Sequence, residues 1–142
     1  MLAHVRAMVD ATGLPVNADF GSGYADAPDA VADNVRRCVE IGVAGLSIED
    51  ATGDATRPLY DAELAAQRIR AARSAIDATD SAVVLTGRAE GFLVGSAISR
   101  RSSAACTHMP RRAPIACMRR GSRAGRTWRL WWPPSRRSRS TS

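Results

Sequence analysis

The sequence of 142 residues contains no lysine, and it contains no acidic residue after Glu90. All 14 Asp and Glu residues and eight of the 20 arginines lie in residues 1–95, so that segment has a net charge of −6. Residues 96–142 hold the other 12 arginines and all three tryptophans, with a net charge of +12. The overall charge of +6 describes neither segment, and we expect 1–95 and 96–142 to be separate units.

The absence of lysine bears on the origin of the basic segment 96–142. An arginine-rich tail is typical of proteins that bind nucleic acid, because clustered cations displace counterions from phosphates. Basic tails selected for their charge usually contain both cations, however. Arg, Pro, Ala, Ser, Gly, Cys and Trp are also the residues that GC-rich DNA encodes when it is translated out of register.

A change of reading frame can be tested by building codons from the third base of each residue and the first two bases of the next. With plausible wobble bases, residues 105–121 and 128–142 then encode alternating helix and strand patterns. We therefore predict a frame slip near residues 95 to 97, a disordered tail in the chain as written, and no nucleic-acid partner. The alternative is a genuine basic tail that orders when it binds nucleic acid.

Other absences exclude several classes of protein. No apolar run approaches the roughly 18 residues of a membrane span, and the N-terminus lacks the apolar core of a signal peptide, which predicts a soluble cytoplasmic protein. The three cysteines do not have the spacing of a zinc site. Cys38 is predicted to be a core residue, while His4 and His108 are isolated and receive no role.

Residues 1–95 alternate between helical and strand-like patterns. The order αβαβαβ predicts an α/β fold with parallel strands and right-handed crossovers. In the third helix, Arg68, Arg70 and Arg73 are predicted to be exposed. The predicted helices are 1–12, 28–42 and about 60–76, and the predicted strands are 14–19, 43–48 and 82–86.

Charged residues stand at the end of each predicted strand. Asp19 ends the first, Glu49 and Asp50 the second, and Arg88 and Glu90 the third. The carboxyl ends of parallel strands share one rim, where ligands bind. Carboxylates at such a rim suit a hard cation such as Mg2+, and Arg88 offers a fork for a carboxylate or phosphonate.

Each of these residues also has a simpler interpretation. A single Asp or Glu at a strand end is often a helix cap or the partner of a nearby arginine. Gly21 and Gly23 lie where a dinucleotide-binding motif would have glycines, but Asp26 occupies the third position and would repel a pyrophosphate. The two glycines instead predict a tight turn with positive φ.

Three segments carry a resemblance to a known family: ADFGSGYAD at 18–26, GLSIED at 45–50 and GRAE at 87–90. Over residues 2–94 the sequence resembles the isocitrate lyase/phosphoenolpyruvate mutase superfamily. The resemblance implies a (β/α)8 barrel, of which this chain would contain about strands 3 to 5. It also implies Mg2+-dependent cleavage of C–C or P–C bonds, through an enolate, in small oxo- or hydroxy-dicarboxylates or phosphonates, by enzymes that are homo-oligomeric.

The resemblance implies roles for the matching residues. Asp19 would be the direct metal ligand and Glu49 a carboxylate that reaches the metal through water. Arg88 would bind the substrate and, with Glu49, take part in catalysis. Glu90 would contact the substrate, and a last pair, Gly23 and Tyr24, would shape the floor of the pocket.

The sequence departs from the family in three ways. Gly21 stands where relatives have a second carboxylate. No Lys-Lys-Cys-Gly-His segment follows Asp50, and this absence excludes the isocitrate lyase branch. The decarboxylase-, hydrolase- and phosphonomutase-like branches remain open. The chain also begins at the helix that precedes the third barrel strand. We therefore expect it to be inactive or nearly so as written, with a partner fragment that completes a split barrel as an alternative.

Overall fold

Within the described residues, four parallel strands form one sheet, with a helix between β1 and β2 and another between β2 and β3. The computed structural model describes residues 1–90 and 115–119. The strands lie in the order β1-β2-β3-β4. The elements are α1 (Leu2–Ala11), β1 (Asn17–Asp19), α2 (Pro28–Val39), β2 (Gly45–Glu49), α3 (Ala62–Asp77), β3 (Val84–Ala89) and β4 (Ile115–Arg119). This order confirms the predicted α/β class.

Buried side chains from the sheet and the helices form one apolar cluster. In β2 the first four residues are all buried, as expected for a strand that is covered on both faces. Helix α2 begins at Pro28, which suits a first helical position, and buries a stripe at helical spacing. Burial raises the pKa of the Cys38 thiol in this stripe to about 11, so it is a protonated core residue, as predicted.

The limits of all three predicted strands differ from the prediction, and β2 is Gly45–Glu49 rather than 43–48. β1 begins at Asn17 because Leu14 is exposed and Pro15 has no N–H to donate to a strand partner. β3 continues to Ala89 instead of ending at Thr86. Residues 84–88 of this longer β3 pair with β2, which places Arg88 inside the sheet rather than in the loop after it.

The predicted exposure of two arginines on α3 is wrong. Arg68 is 1% exposed and Arg73 is also buried. The buried side chain of Arg73 pairs with Asp77, whose carboxylate lies 2.7 Å from Nη2, so a long side chain can be buried and still find a polar partner. Arg70 is partly exposed and pairs with Glu63.

Only five residues of the segment 96–142 are described. Ile115–Arg119 forms β4, which pairs in parallel with β3 and supplies a partner for an edge that would otherwise be open. The predicted frame slip and the remainder of the predicted disordered tail, including Cys106 and His108, lie outside the described residues. Among the helices that the structure describes, none is long and apolar enough to cross a bilayer.

Leu46 tests how far the buried sheet carries the stability of the fold. It is fully buried in β2, between Ala18 of β1 and Leu85 of β3. Leu46→Ala should lower the free energy of unfolding by about 2–5 kcal/mol, because it leaves a cavity in a packed core. Val84→Ala, at an exposed position of β3, should change it by about 0.5 kcal/mol or less. Urea denaturation followed by circular dichroism gives both values, and equal effects would contradict this packing.

Candidate active site

The carboxyl ends of the first three strands lie side by side at one edge of the sheet. Asp19 is in register with Ser47, and Glu49 is in register with Arg88. Because the strands are parallel, the loops that follow them open at the same edge. The structure thus brings Asp19, Glu49 and Arg88 together, and Glu90 joins them directly after β3.

Arg88 connects the three carboxylates. Its Nη1 lies 2.9 Å from both carboxylate oxygens of Asp19. Its Nη2 lies 3.3 Å from Oε2 of Glu49 and 2.7 Å from Oε1 of Glu90. The side chain of Asp19 is 71% exposed, whereas Arg88 is 12% exposed and Glu90 is buried. Asp19 is therefore the partner that a ligand can displace from Arg88 most readily.

The acidity of the site reflects burial and an excess of negative charge. Burial raises the pKa of Glu49; Arg88 lowers it, and the nearby carboxylates raise it further. Burial alone would lower the pKa of Arg88, but Glu90, Asp19 and Glu49 outweigh it, so the pKa of Arg88 is raised. The carboxylates outnumber the guanidinium three to one, so the cluster favours a further cation.

A turn with left-handed backbone follows Asp19. Gly21, Gly23 and Tyr24 have φ of +51°, +79° and +56°, which confirms the predicted positive φ of the two glycines. A Cβ at Gly23 would lie 3.0 Å from Val31, so this position also requires glycine for space. The exposed ring of Tyr24 packs edge-on against Phe20, with 5.3 Å between centroids. Gly23 and Tyr24 thus belong to the turn that follows Asp19.

Backbone hydrogen bonds tie the three loops at this edge to one another. The N–H of Glu49 donates to the carbonyl of Gly21 at 2.9 Å, which joins the first loop to the end of β2. The N–H of Glu90 donates to Oδ1 of Asp50 at 2.8 Å, which joins the second loop to the third. Asp50 was predicted as part of the ligand-binding rim, but its carboxylate holds the backbone of Glu90 in place.

The oxygens at this edge fit Mg2+ that keeps part of its water shell. In residues 1–90 and 115–119, no three His, Cys, Asp or Glu side chains are grouped as they would be around an enclosed metal ion. Mg2+ is commonly held by one or two carboxylates together with waters and substrate oxygens. Asp19 and Glu49 supply two carboxylates that already converge on a cation, the guanidinium of Arg88.

Two residues that support the site, Ser47 and Arg68, were not predicted from the sequence. Ser47 Oγ donates to Oδ1 of Asp19 at 3.3 Å. A signal for Ser47 existed, because it is a polar residue in an apolar run and shares its strand face with Glu49, two residues on. Arg68, which donates to the carbonyl of Ser22 in the glycine turn, gave no such signal.

Comparison with models of protein families shows which family the chain belongs to. A family model for phosphoenolpyruvate phosphomutase matches residues 1–114. The chain belongs to this family. Its match to the family extends past residue 94, where the sequence resemblance was expected to end. Comparison with curated proteins gives no match.

Solved structures of several enzymes resemble this phosphoenolpyruvate phosphomutase family member. A protein provisionally named a lyase/mutase from Burkholderia cenocepacia J2315 is 33% identical, with a TM-score of 0.70 over 89% of this chain and 54% of its own. Oxaloacetate acetylhydrolase in complex with its product oxalate is 27% identical, with a TM-score of 0.70 over 87% of this chain and 43% of its own. Phosphonopyruvate hydrolase in complex with oxalate and Mg2+ is 25% identical, with a TM-score of 0.67 over 84% and 42%. The family member therefore spans about half the length of these enzymes.

Asp50 gives a test of the electrostatics through pH. Burial raises the pKa of Asp50 in the folded state, so its charge opposes folding above that pKa. Asp50→Asn should therefore raise the free energy of unfolding at pH 7, and its advantage should shrink as the pH falls towards the ordinary range of Asp. Urea denaturation between pH 7 and pH 4.5 measures this difference.

Asp54 serves as a control, because its pKa is shifted in the direction opposite to that of Asp50. Hydrogen bonds from Thr56 lower the pKa of Asp54, so its charge favours the fold above the pKa of the unfolded chain. Asp54→Asn should lower stability at pH 7, and this loss should persist down to pH 4.5, because the charge of Asp54 is lost only as the pH falls below the ordinary range of Asp through the lowered pKa. A gain from Asp50→Asn that grows with falling pH would contradict this account.

Proposed function

We propose that this edge of the sheet forms part of the active site of a Mg2+-dependent lyase or mutase. Its substrates would be small oxo- or hydroxy-dicarboxylates or phosphonates, with a C–C or P–C bond broken through an enolate. The observation that carries the proposal is the convergence of Asp19, Glu49 and Arg88. Family membership, and the similarity to enzymes solved with oxalate, support it.

Asp19 and Glu49 would hold the metal ion. Bound there, Mg2+ would polarise substrate oxygens and stabilise developing negative charge. The carboxylate of Asp19 is exposed and suits direct ligation, and Ser47 and the N–H of Gly21 orient it. Glu49 is more enclosed and suits contact through water.

Arg88 would bind the anionic group of the substrate. Its ion pair with Glu90 is buried, whereas its contact with Asp19 is exposed, so Nη1 can exchange Asp19 for a substrate anion while Nη2 stays in place. A guanidinium binds carboxylate and phosphonate oxygens through two parallel hydrogen bonds. Arg88 would thereby offset part of the negative charge of the carboxylates in the free protein and that of the substrate in the complex.

Three further residues would complete the substrate contacts. Oε1 of Glu90 is paired with Nη2 of Arg88, whereas Oε2 has no hydrogen-bond partner among the described residues, so Oε2 would accept a hydrogen bond from a substrate hydroxyl. Gly23 and Tyr24 would form the floor of the pocket, and their position in the turn that follows Asp19 supports this role.

We expect the chain as given to show little or no turnover by itself. Gly21 leaves the metal site with fewer carboxylates than its relatives are expected to have, and the chain covers 54% or less of the three enzymes compared above. Turnover by the purified chain with Mg2+ would contradict this. Tight, salt-dependent binding of nucleic acid would instead favour the alternative function, through the net charge of +12 in residues 96–142.

Arg88→Met should separate cation binding from anion binding. The substitution leaves the carboxylates without their guanidinium, so affinity for Mn2+, used as a probe for Mg2+, should rise several-fold. Affinity for oxalate in the presence of Mn2+ should fall about tenfold or more, because hydrogen bonds to charged groups contribute about 1.5–3 kcal/mol. Electron paramagnetic resonance of free Mn2+, with and without oxalate, measures both.

Two other variants serve as controls for this test. Asp19→Asn should weaken Mn2+ binding, since it removes the proposed direct ligand. Arg57→Met, at an exposed loop position, should change neither affinity. If Arg88→Met bound oxalate as tightly as the parent chain, Arg88 would not be the anion-binding group.

Gly21→Asp tests whether the site lacks a carboxylate. A Cβ at Gly21 would meet no atom within 4 Å, and Asp and Asn tolerate a φ of +51° better than other side chains. Gly21→Asp should tighten Mn2+ binding about tenfold, on the scale of a charge-assisted contact. Gly21→Asn, with the same shape and no charge, should have little effect. Equal Mn2+ affinities of the two variants would contradict the idea.

A further inference from the structure

Arg68 is the largest fully buried side chain in the described part of the chain. It lies on α3, and its Nη2 donates a hydrogen bond to the carbonyl of Ser22. Its Nε and Nη1 have no hydrogen-bond partner among the described residues, and the ion pairs found there do not include it. Arg68 is thus a buried cation whose polar atoms are only partly satisfied.

A contribution to the stability of the fold does not readily explain a buried arginine of this kind. A buried charge destabilises a fold unless it is paired and hydrogen-bonded, and well-packed apolar residues of similar size often replace buried charges without loss. Its main compensation is a contact with Tyr60, whose ring centroid lies 3.7 Å from Cζ of Arg68. The role of this arginine is therefore to be sought in the segments of the chain that its side chain contacts.

Arg68 and Tyr60 contact the loop between β1 and α2 at two points. Ser22, which accepts the hydrogen bond from Arg68, lies in the middle of the left-handed turn. The hydroxyl of Tyr60 donates to Oδ1 of Asp26 at 2.5 Å, at the far end of the same loop. The N–H of Tyr60 donates to the carbonyl of Asp50, so the pair is anchored to the loop after β2 as well.

The loop that they hold is part of the candidate site. It follows Asp19 directly, it contains Gly23 and Tyr24, and the carbonyl of Gly21 accepts the N–H of Glu49. A shift of this loop would therefore displace Asp19 and Glu49 relative to each other.

We propose that Arg68 is a positioning residue that fixes the loop 20–26 through the Ser22 carbonyl and the ring of Tyr60, and thereby sets the placement of Asp19 and Glu49. The effect on the loop does not depend on the proposed function. The consequence for metal binding does depend on it.

Arg73 offers a matched control on the same helix. It is also buried, but it is satisfied: Nε donates to Oδ1 of Asp77 at 2.9 Å, and Nη1 contacts the carbonyl of Val83. These partners lie at the end of α3 and the start of the third strand, at the opposite edge of the sheet from the candidate site. Arg73→Met should affect stability alone.

The experiment compares Arg68→Met and Arg73→Met in the full chain. Arg68→Met should keep or raise the midpoint of thermal unfolding, yet increase amide hydrogen exchange in residues 20–26 about tenfold or more, on the scale of a lost charged hydrogen bond. Arg73→Met should lower the midpoint and leave exchange in this loop unchanged relative to the rest of the chain. Mass spectrometry of peptides resolves the loop.

Each other outcome contradicts the proposal. If Arg68→Met left exchange in residues 20–26 unchanged, or if it destabilised the whole chain as Arg73→Met does, Arg68 would have only a structural role. If Arg68→Met did not fold, Tyr60→Phe would decide, because it removes one hydroxyl: a selective rise in exchange at residues 24–26 supports the proposal, and no rise overturns it.

A Mn2+ titration of the same variants separates this proposal from the proposed function. If the parent chain binds Mn2+, Arg68→Met should weaken that binding several-fold and Arg73→Met should not. Equal Mn2+ affinity of Arg68→Met and the parent would overturn the link to Asp19 and Glu49. If the parent does not bind Mn2+, the proposed function fails, and loop exchange still decides the role of Arg68.

Discussion

The guanidinium of Arg88 lies in contact with carboxylates from three strand ends, and the arrangement of the site depends on it. Asp19, Glu49 and Glu90 would repel one another without a cation between them. Their convergence follows from the parallel register that places Glu49 opposite Arg88. The sheet brings the charges together, and Arg88 makes their proximity stable in the free protein.

A second set of contacts positions the loops around this cluster. The side chains of Asp50 and Arg68 bond to backbone groups of the loops, and Tyr60 bonds to Asp26 and to the carbonyl of Asp50. These residues therefore fix loop conformation rather than offer groups to a ligand. Arg68 is the buried polar residue among them, and it carries an energetic penalty that an apolar side chain would avoid. Residues outside the rim therefore fix the positions of the loops, and the positions of the loops determine how the charged side chains are arranged.

The sequence was sufficient to predict the order of helices and strands, because apolar periodicity marks each element and glycine or proline marks several ends. It also predicted which strand ends meet, since parallel connections leave little choice. It failed for Arg68 and Arg73, because their neighbours on α3 are apolar and a helical pattern does not report where a long side chain turns. That Arg88 would occupy the centre of the carboxylates required the three-dimensional register of β2 and β3.

The most direct test of this account is a crystal structure of the chain grown with Mn2+ and oxalate. The account predicts metal density beside Asp19 and Glu49, with Nη1 of Arg88 turned from Asp19 to oxalate while Nη2 keeps its contact with Glu90. A structure in which Arg88 still holds Asp19, with Mn2+ elsewhere or not bound, would contradict the claim that this edge of the sheet is a metal-dependent active site.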